Sequence, residues 1–223
     1  MKRAIPFLFA GAAALALVGA GTRHARRWHP DPAAFPVAGV TVADSDGGIE
    51  WPAVKAAGAD FAYVRASHGG SRDRSFEANW SGAADAGLRR GAGHDFSLCH
   101  SAAAQARAFI TTVPRTADAL PSALALDFDP ACTRRPDRAG VLGAVRAFLL
   151  AAERHDGRPF LLRISPAFEE HYRLSHAVLR PLWAERRFLQ PDYLARPWRI
   201  WQASDIRRID GVAGPIRWSV VAP

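Results

Sequence analysis

The sequence predicts an α/β fold built from parallel β/α units. From about residue 37, short apolar runs typical of strands alternate with segments whose apolar residues recur at helical spacing, and five such units reach Pro166. Beyond Pro166 the apolar runs are short and leave little room for crossover helices, so three further strands are expected there. At 223 residues the chain is short for a regular eight-fold β/α barrel, which typically needs about 250. A single domain is expected over 37–223.

The predicted elements follow one another in chain order. Strand-like, mostly apolar runs predict five strands, at 37–42, 61–66, 91–96, 123–127 and 160–164. Apolar residues at helical spacing predict four helices, at 51–57, 79–86, 101–113 and 138–155. Gly58 and Gly87 mark the ends of the first two helices, and Ser101 is expected to cap the third. The remaining short strands are expected around 182–183, 199–203 and 216–221.

The first 21 residues have the pattern of a secretory signal peptide. Lys2 and Arg3 precede an apolar run over 4–20, and small residues at 18–20 form a plausible cleavage site. The alternative is an uncleaved anchor in the inner membrane, because the run is close to the minimum length that spans a bilayer. In both cases the rest of the chain is expected outside the cytoplasm, periplasmic or extracellular, with 22–36 as a proline-containing linker.

The charge of the chain limits its partners. The formal net charge of +8 comes almost wholly from arginine, since Lys2 and Lys55 are the only lysines. A basic surface outside the cell fits an anionic polymer or a membrane face. Nucleic acid is not expected as a partner, because no binding motif is present. Neither a metal nor a cofactor is expected, because Cys99-His100 has no matching second pair, and the chain is expected to be a monomer.

Two carboxylates at the end of the fourth strand are the first candidates for chemistry. Asp127 and Asp129 are two residues apart, so their side chains project to the same side at the strand's carboxyl end. Barrel enzymes keep their catalytic groups at this end. An Asp-x-Asp sequence is also common in solvated turns, so the pair alone does not define a site.

Several segments around this pair form an ordered set. They are 39–51, 61–67, 76–80, 91–96, 124–129, 198–202 and 211–214. Residues 91–96 read Gly-Ala-Gly-His-Asp-Phe, and residues 198–202 read Trp-Arg-Ile-Trp-Gln. In this order the set resembles glycoside hydrolase family 25, the lysozymes that cut the muramic acid linkage of peptidoglycan. The resemblance covers about 37–221 and implies an irregular TIM-like (β/α)5(β)3 barrel.

The resemblance also implies an active site of four carboxylates, of which this sequence keeps one unchanged. Asp127 is retained, Asp129 replaces the Glu that donates the proton, and Thr41 and Arg217 replace Asp residues on the first and last strands. Shortening Glu to Asp withdraws the acid by one C–C bond, and a misplacement of that order costs about a hundredfold in rate. Arg217 is a permanent cation, which works against a proton donor beside it.

Three other carboxylates are candidates to replace the lost groups. Asp44 and Asp46 lie in the loop after Thr41, and Asp95 lies on the third strand. Residues 44–47 alternatively form a polar turn, which lacks the remaining ligands of a calcium loop. Asp95 alternatively pairs with an arginine such as Arg217. Without one of these groups within about 9 Å of Asp129, a two-carboxylate mechanism has no second member.

A sugar-binding groove on the late strands is a further implication of the resemblance. Trp183, Trp201 and Gln202 are expected to bind substrate, because tryptophan faces stack on sugar rings and the amide can hydrogen-bond an acetamido group. At least one of Trp198 and Trp201 is expected in the core, because residues three apart cannot face the same side of a strand.

The third strand adds two residues to this predicted groove. His94 and Phe96 are expected to contact substrate, and Gly93 replaces the family's substrate-facing Tyr. The alternative for His94 is a buried structural histidine.

The two cysteines predict a disulfide. Cys99 follows the third predicted strand and Cys132 the fourth, and consecutive strands of a parallel barrel are neighbours. An oxidising envelope would let such a bond persist. The alternative is two unrelated buried thiols.

Two functional hypotheses follow, and the sequence leaves enzymatic activity undecided. The first is an exported hydrolase that cuts the β-1,4 bond between N-acetylmuramic acid and N-acetylglucosamine, with Asp129 as an altered acid. The second, which the residue changes favour, is a non-catalytic protein that binds peptidoglycan or a related glycan. A structural or partner-binding role for an anchored barrel is a third possibility.

Overall fold

The structure is a computed structural model that describes residues 17–223. Over that range the chain forms nine strands: β1 (Ala38–Val42), β2 (Phe61–His68), β3 (Ser71–Arg72), β4 (Arg89–Asp95), β5 (Ala123–Leu126), β6 (Leu161–Ile164), β7 (Leu182–Glu185), β8 (Ile200–Arg207) and β9 (Ile216–Val221). Most of the predicted leader, residues 1–16, lies outside the described residues.

Seven helices accompany the strands in the same range: α1 (17–27), α2 (Trp51–Ala56), α3 (Phe76–Asp85), α4 (Ala102–Ile110), α5 (Arg138–Asp156), α6 (Pro166–Tyr172) and α7 (Leu174–Ala177). The Ser101 hydroxyl accepts a hydrogen bond from the Ala104 amide at the start of α4, which confirms the predicted cap. Asp137 caps α5 in the same way, and Gly157 ends that helix in the left-handed conformation.

Eight of these strands close into a barrel. Strands β1, β2, β4, β5, β6, β7 and β8 are parallel neighbours in that order, and β9 runs antiparallel between β8 and β1. Helices follow each of the first five barrel strands, whereas β7, β8 and β9 succeed one another without any. The predicted single-domain (β/α)5(β)3 barrel is confirmed.

Side-chain alternation along the strands separates two apolar regions. Residues on the outer face pack against the helices and form the larger core. Inside the barrel, six residues near the amino ends of the strands form a second core: Phe61, Tyr63, Ala123, Leu161, Trp183 and Ile200. Charged side chains line the interior at the carboxyl ends of the strands. The barrel is therefore filled with apolar side chains at the amino ends of the strands and is polar at their carboxyl ends.

The chain before the barrel packs onto its outside. Phe35 is buried, and its ring centroid lies 5.7 Å from that of Trp201 in β8. The Trp28 ring lies 6.3 Å from the same tryptophan. Part of the predicted linker is thus attached to the domain. Among residues 17–223 every helix is too short or too polar to span a bilayer.

Candidate functional site

A polar cavity of about 340 Å³ opens at the carboxyl ends of the parallel strands. Five carboxylates line it: Asp95, Asp127, Asp129, Glu185 and Asp205. Four basic side chains line it as well: Arg65, His68, Arg163 and Arg217. Both signs of charge therefore meet in one concave site, where barrel enzymes carry their chemistry.

Asp127 and Asp129 reach this cavity from the segment after β5. Asp127 is exposed, and its carboxylate accepts a hydrogen bond from the Phe128 amide. Asp129 is less exposed, and one of its oxygens lies 3.1 Å from Nε2 of His68. Its other oxygen accepts a hydrogen bond of 2.8 Å from the Ala131 amide. The pair lies at the predicted place, and its catalytic role stays a prediction.

Of the three candidate substitutes, only Asp95 lines the cavity. Its oxygens lie 3.6 Å from Nη1 of Arg65 and 3.4 Å from Nη2 of Arg163. The suggested pairing of Asp95 with Arg217 is corrected, because strand β4 faces these two arginines. Asp95 is a carboxylate already held by two cations.

Asp44 and Asp46 lie behind the cavity wall, in a 3-10 turn after β1. Asp44 accepts a hydrogen bond from Arg65, and Asp46 accepts one of 2.8 Å from the Ala43 amide. Neither is among the residues lining the cavity. The prediction that they substitute for lost carboxylates is corrected, since Asp44 is paired with Arg65 and Asp46 holds the turn.

Glu185 is a cavity carboxylate that sequence reasoning missed. It ends β7, and its side chain lies 3.1 Å from Nε of Arg163 on the neighbouring strand β6. Burial raises the pKa of Glu185, and Arg163 opposes that rise. Two features of the sequence could have indicated this residue. Glu185 ends a strand two residues after Trp183, and Arg163 is a charged residue within an otherwise apolar strand.

Two positions at which the family resemblance implies carboxylates lie side by side on neighbouring strands. Thr41 of β1 faces Arg217 of β9 in register. The Arg217 guanidinium lines the cavity, and its Nη1 is 3.8 Å from Asp46, too long for a hydrogen bond. Arg217 therefore presents a weakly paired positive charge to whatever enters.

Gly93 leaves open space in the barrel. A Cβ atom at Gly93 would meet no other atom closer than 3.8 Å. The position where the resemblance implies a Tyr therefore has room for a larger side chain.

The expectation that Trp183 and Trp201 bind sugar is corrected. Trp183 is fully buried inside the barrel, with its ring 4.8 Å from that of Tyr63. Trp201 is buried on the outside, where it packs against Phe35 and donates a hydrogen bond to the Arg186 carbonyl. A ring without an exposed face cannot stack on a sugar. The expected core placement of at least one tryptophan in this region is confirmed.

The expectation that His94 contacts substrate is also corrected, because His94 is a buried structural histidine. Its ring is fully buried, with Nδ1 2.8 Å from the Ser67 hydroxyl and Nε2 3.1 Å from Oε1 of Gln105. Burial lowers the pKa of His94 to about 4. Its neighbour Phe96 does line the cavity, although only a small part of its side chain is exposed.

Gln202 lines the cavity as predicted, and it belongs to a row of unsatisfied polar groups. Within residues 17–223, the side-chain oxygens of Thr41, Gln202 and Ser219 are buried without a hydrogen-bond partner. Ser219 is opposite Gln202 in register, and Thr41 lies on the next strand. Buried polar groups normally have partners, so these oxygens are suited to an ordered water, and of the three residues only Gln202 lines the cavity.

The predicted disulfide is confirmed. Cys99 and Cys132 are bonded, with Cα atoms 5.8 Å apart. The bond joins the loop after β4 to the loop after β5, next to Asp129. Across residues 17–223 no three His, Cys, Asp or Glu side chains are grouped so that they could hold a metal ion.

Comparison with protein families gives one match along most of the chain. The family model described as Glycosyl hydrolases family 25 matches residues 40–212. The Uncharacterized protein YegX of Escherichia coli O6:H1 (strain CFT073) is 28% identical over 196 residues, which are 85% of this chain and 71% of that protein. Lysozyme M1 of Streptomyces globisporus is 44% identical over 59 residues, 26% of this chain and 20% of that protein.

Solved structures are similar over the whole barrel. A family 25 glycosyl hydrolase from Bacillus anthracis has a TM-score of 0.79 and 25% identity, covering 89% of this chain and 93% of that one. A bacterial lysozyme from Streptomyces coelicolor has a TM-score of 0.75 and 25% identity, covering 84% of this chain and 92% of that one.

Proposed function

Because the chain belongs to glycosyl hydrolase family 25, we propose that its cavity binds the glycan strand of peptidoglycan, with hydrolysis of the β-1,4 bond impaired or lost. Membership of the family supports a muramidase-type function. The bond in question joins N-acetylmuramic acid to N-acetylglucosamine. The proposed loss of catalysis depends on the residues that line the cavity.

The observation that carries the proposal is the pair formed by Thr41 and Arg217. These neighbours on β1 and β9 stand where the family resemblance implies two carboxylates, and Arg217 brings a positive charge to the cavity instead. A glycosidase needs one carboxylic acid and one carboxylate on opposite sides of the scissile bond. A cation on one wall stabilises ionised acids and not their protonated forms, so it weakens proton donation.

The second support is the state of Asp129. This residue takes the place of the family's Glu with a side chain one methylene shorter, and both of its oxygens are already in contact with His68 and Ala131. A shortened acid held by two protein groups is poorly placed to reach a glycosidic oxygen.

Glycan binding is supported by what the cavity retains. Gln202 lines the cavity and has a side-chain oxygen without a hydrogen-bond partner in the described part of the chain, and the charged side chains of Asp127, Asp205 and Arg217 line it as well. A sugar has hydroxyl and acetamido groups that can pair with such polar groups.

The test is an assay of purified peptidoglycan for both binding and cleavage. The wild type is expected to co-sediment with insoluble peptidoglycan, and to release reducing ends at no more than about a hundredth of the rate of an active family 25 muramidase. The Gln202→Ala variant should bind more weakly. Asp118→Asn, an exposed carboxylate away from the cavity, is the matched control for Asp129→Asn. Rapid release that Asp129→Asn abolishes and Asp118→Asn does not would refute the proposal.

A second candidate is an active hydrolase in which Glu185 donates the proton. The observation in its favour is that burial raises the pKa of Glu185, which is what a general acid needs. Under this alternative, Glu185→Gln abolishes the release of reducing ends. Under the main proposal, Glu185→Gln leaves an already low rate unchanged.

We also propose that the protein acts as a monomer outside the cytoplasm, either released after cleavage near 18–20 or held by the uncleaved N-terminal segment. The disulfide between Cys99 and Cys132 supports an oxidising compartment. Cell fractionation followed by N-terminal sequencing separates the two forms. Recovery of full-length, reduced protein from the cytoplasm would contradict this location.

A further inference from the structure

A second cavity, of about 700 Å³, lies between α1 and the connection from β8 to β9. Five arginines line it: Arg23, Arg26, Arg27, Arg207 and Arg208. Asp210 is the one carboxylate among the lining residues. The cavity shares no lining residue with the polar site at the carboxyl ends of the strands. Its charge is strongly positive.

Arg207 is the fixed part of this cavity. It ends β8, only 9% of its surface is exposed, and its guanidinium lies 3.9 Å from the centre of the Trp218 ring. Within the described part of the chain, Nε and Nη1 of Arg207 are buried and have no hydrogen-bond partner. A buried guanidinium without a carboxylate is costly, and proteins normally satisfy it with an anion.

The flanking arginines are positioned by the backbone. The Arg208 amide donates a hydrogen bond of 2.8 Å to the Arg26 carbonyl, which attaches the end of α1 to the end of β8. Arg23, Arg26 and Arg27 are exposed on α1, and they come from adjacent turns of the helix. The exposed charges of one helix thus line the same cavity as the buried charge of Arg207.

Burial alone lowers the pKa of Arg207, to about 10, and no carboxylate offsets it. An anion in the cavity would reverse that effect.

We propose that this cavity binds a phosphate group, with Arg207 as its buried ligand and the arginines of α1 closing around it. Arginine is suited to this ligand because its planar donors match the phosphate oxygens. The phosphate belongs either to an anionic lipid headgroup or to a small soluble molecule. In the uncleaved form, Leu17 and Val18, exposed apolar residues at the start of the described part of α1, favour the lipid.

The first arm of the test is thermal unfolding of the full chain in phosphate and in chloride at equal ionic strength. Phosphate is expected to raise the melting temperature of the wild type by about 2 to 4 °C. It should leave Arg207→Gln unshifted. Arg154→Gln removes the same charge from an exposed site on α5, and it should keep the full shift. Equal shifts in all three proteins would overturn the proposal.

The second arm separates the two sources of phosphate and does not depend on the folding of Arg207→Gln. A triple variant, Arg23→Gln with Arg26→Gln and Arg27→Gln, is compared with a control that carries Arg107→Gln, Arg134→Gln and Arg154→Gln. Both lose three exposed charges. Co-sedimentation is measured with vesicles of phosphatidylglycerol and of phosphatidylcholine.

Stronger loss of phosphatidylglycerol binding in the α1 variant than in its control identifies a lipid headgroup. Equal losses, together with a phosphate shift present in the control and absent from the α1 variant, identify a soluble phosphate. Equal losses together with equal phosphate shifts would overturn the proposal.

Discussion

His94 makes the stability of the barrel depend on pH, because its imidazole is buried without a charged partner. The ring is fully enclosed, stacks on Phe148 at 4.6 Å, and is hydrogen-bonded to Ser67 and Gln105. Its pKa falls from 6.5 to about 4 in the folded state. The unfolded chain therefore binds a proton in this interval that the folded chain does not.

The consequence is a loss of stability on acidification that can be assigned to this residue. Stabilisation by neutral His94 is fully present above its unfolded pKa of 6.5 and is lost as the pH falls toward about 4. We expect the wild type to lose up to about 3 kcal/mol more than His94→Gln across that interval. Urea denaturation at several pH values measures this difference, and parallel curves for the two proteins would contradict it.

At the scale of elements, the disulfide stabilises the loops that carry Asp129. It closes a loop with a sequence separation of 33. In the chain-entropy model, the double variant Cys99→Ala with Cys132→Ala is expected to lose about 3 to 4 kcal/mol of unfolding free energy. Denaturation of the variant, of the wild type and of the reduced wild type provides the measurement. Reduced wild type and variant should agree, and a variant as stable as the oxidised wild type would show that the bond contributes nothing.

The face of the strand on which a side chain lies explains why some predicted groove residues line the cavity and others do not. The order of the elements and the carboxyl ends of the strands follow from local patterns, so Asp127 could be placed, whereas Gln202 and Arg217 were placed by the family resemblance. Which side chains of a strand face inward is a different question. In β8, Trp201 points outward and Gln202 inward, and apolar residues cover both faces of a buried parallel strand.

Glu185, which sequence reasoning missed, and the arginine partners of Asp95 depend on pairing between strands. Glu185 acquires its role from Arg163, which stands on the neighbouring strand and is 22 positions earlier in the chain. Asp95 is likewise taken up by two arginines from other strands. Such contacts are set by the register of the closed barrel, and no local pattern in one sequence encodes them.

At the scale of the whole molecule, the segment before β1 is part of the folded domain. Phe35 is 9% exposed and contacts both Trp198 and Trp201. Phe35→Ala is expected to lower the unfolding free energy by about 3 kcal/mol. Leu150→Ala, at an exposed position on α5, should change it by less than about 0.5 kcal/mol. Equal effects in urea denaturation would mean that the segment contributes no packing.

The barrel has the architecture of its family, and under the proposal Thr41, Asp129 and Arg217 are the positions that limit hydrolysis. Thr41 and Arg217 are opposite each other in register, Asp129 accepts a hydrogen bond from the Ala131 amide, and Gly93 leaves open space in the barrel. If these substitutions are what limits hydrolysis, reversing them should restore it without rebuilding the fold.

The most direct test is the rate of reducing-end release from purified peptidoglycan by the triple variant Thr41→Asp, Asp129→Glu and Arg217→Asp. Circular dichroism first establishes that the variant is folded. The account predicts release at least about a hundredfold faster than by the wild type. A folded triple variant that is no faster than the wild type would contradict the account.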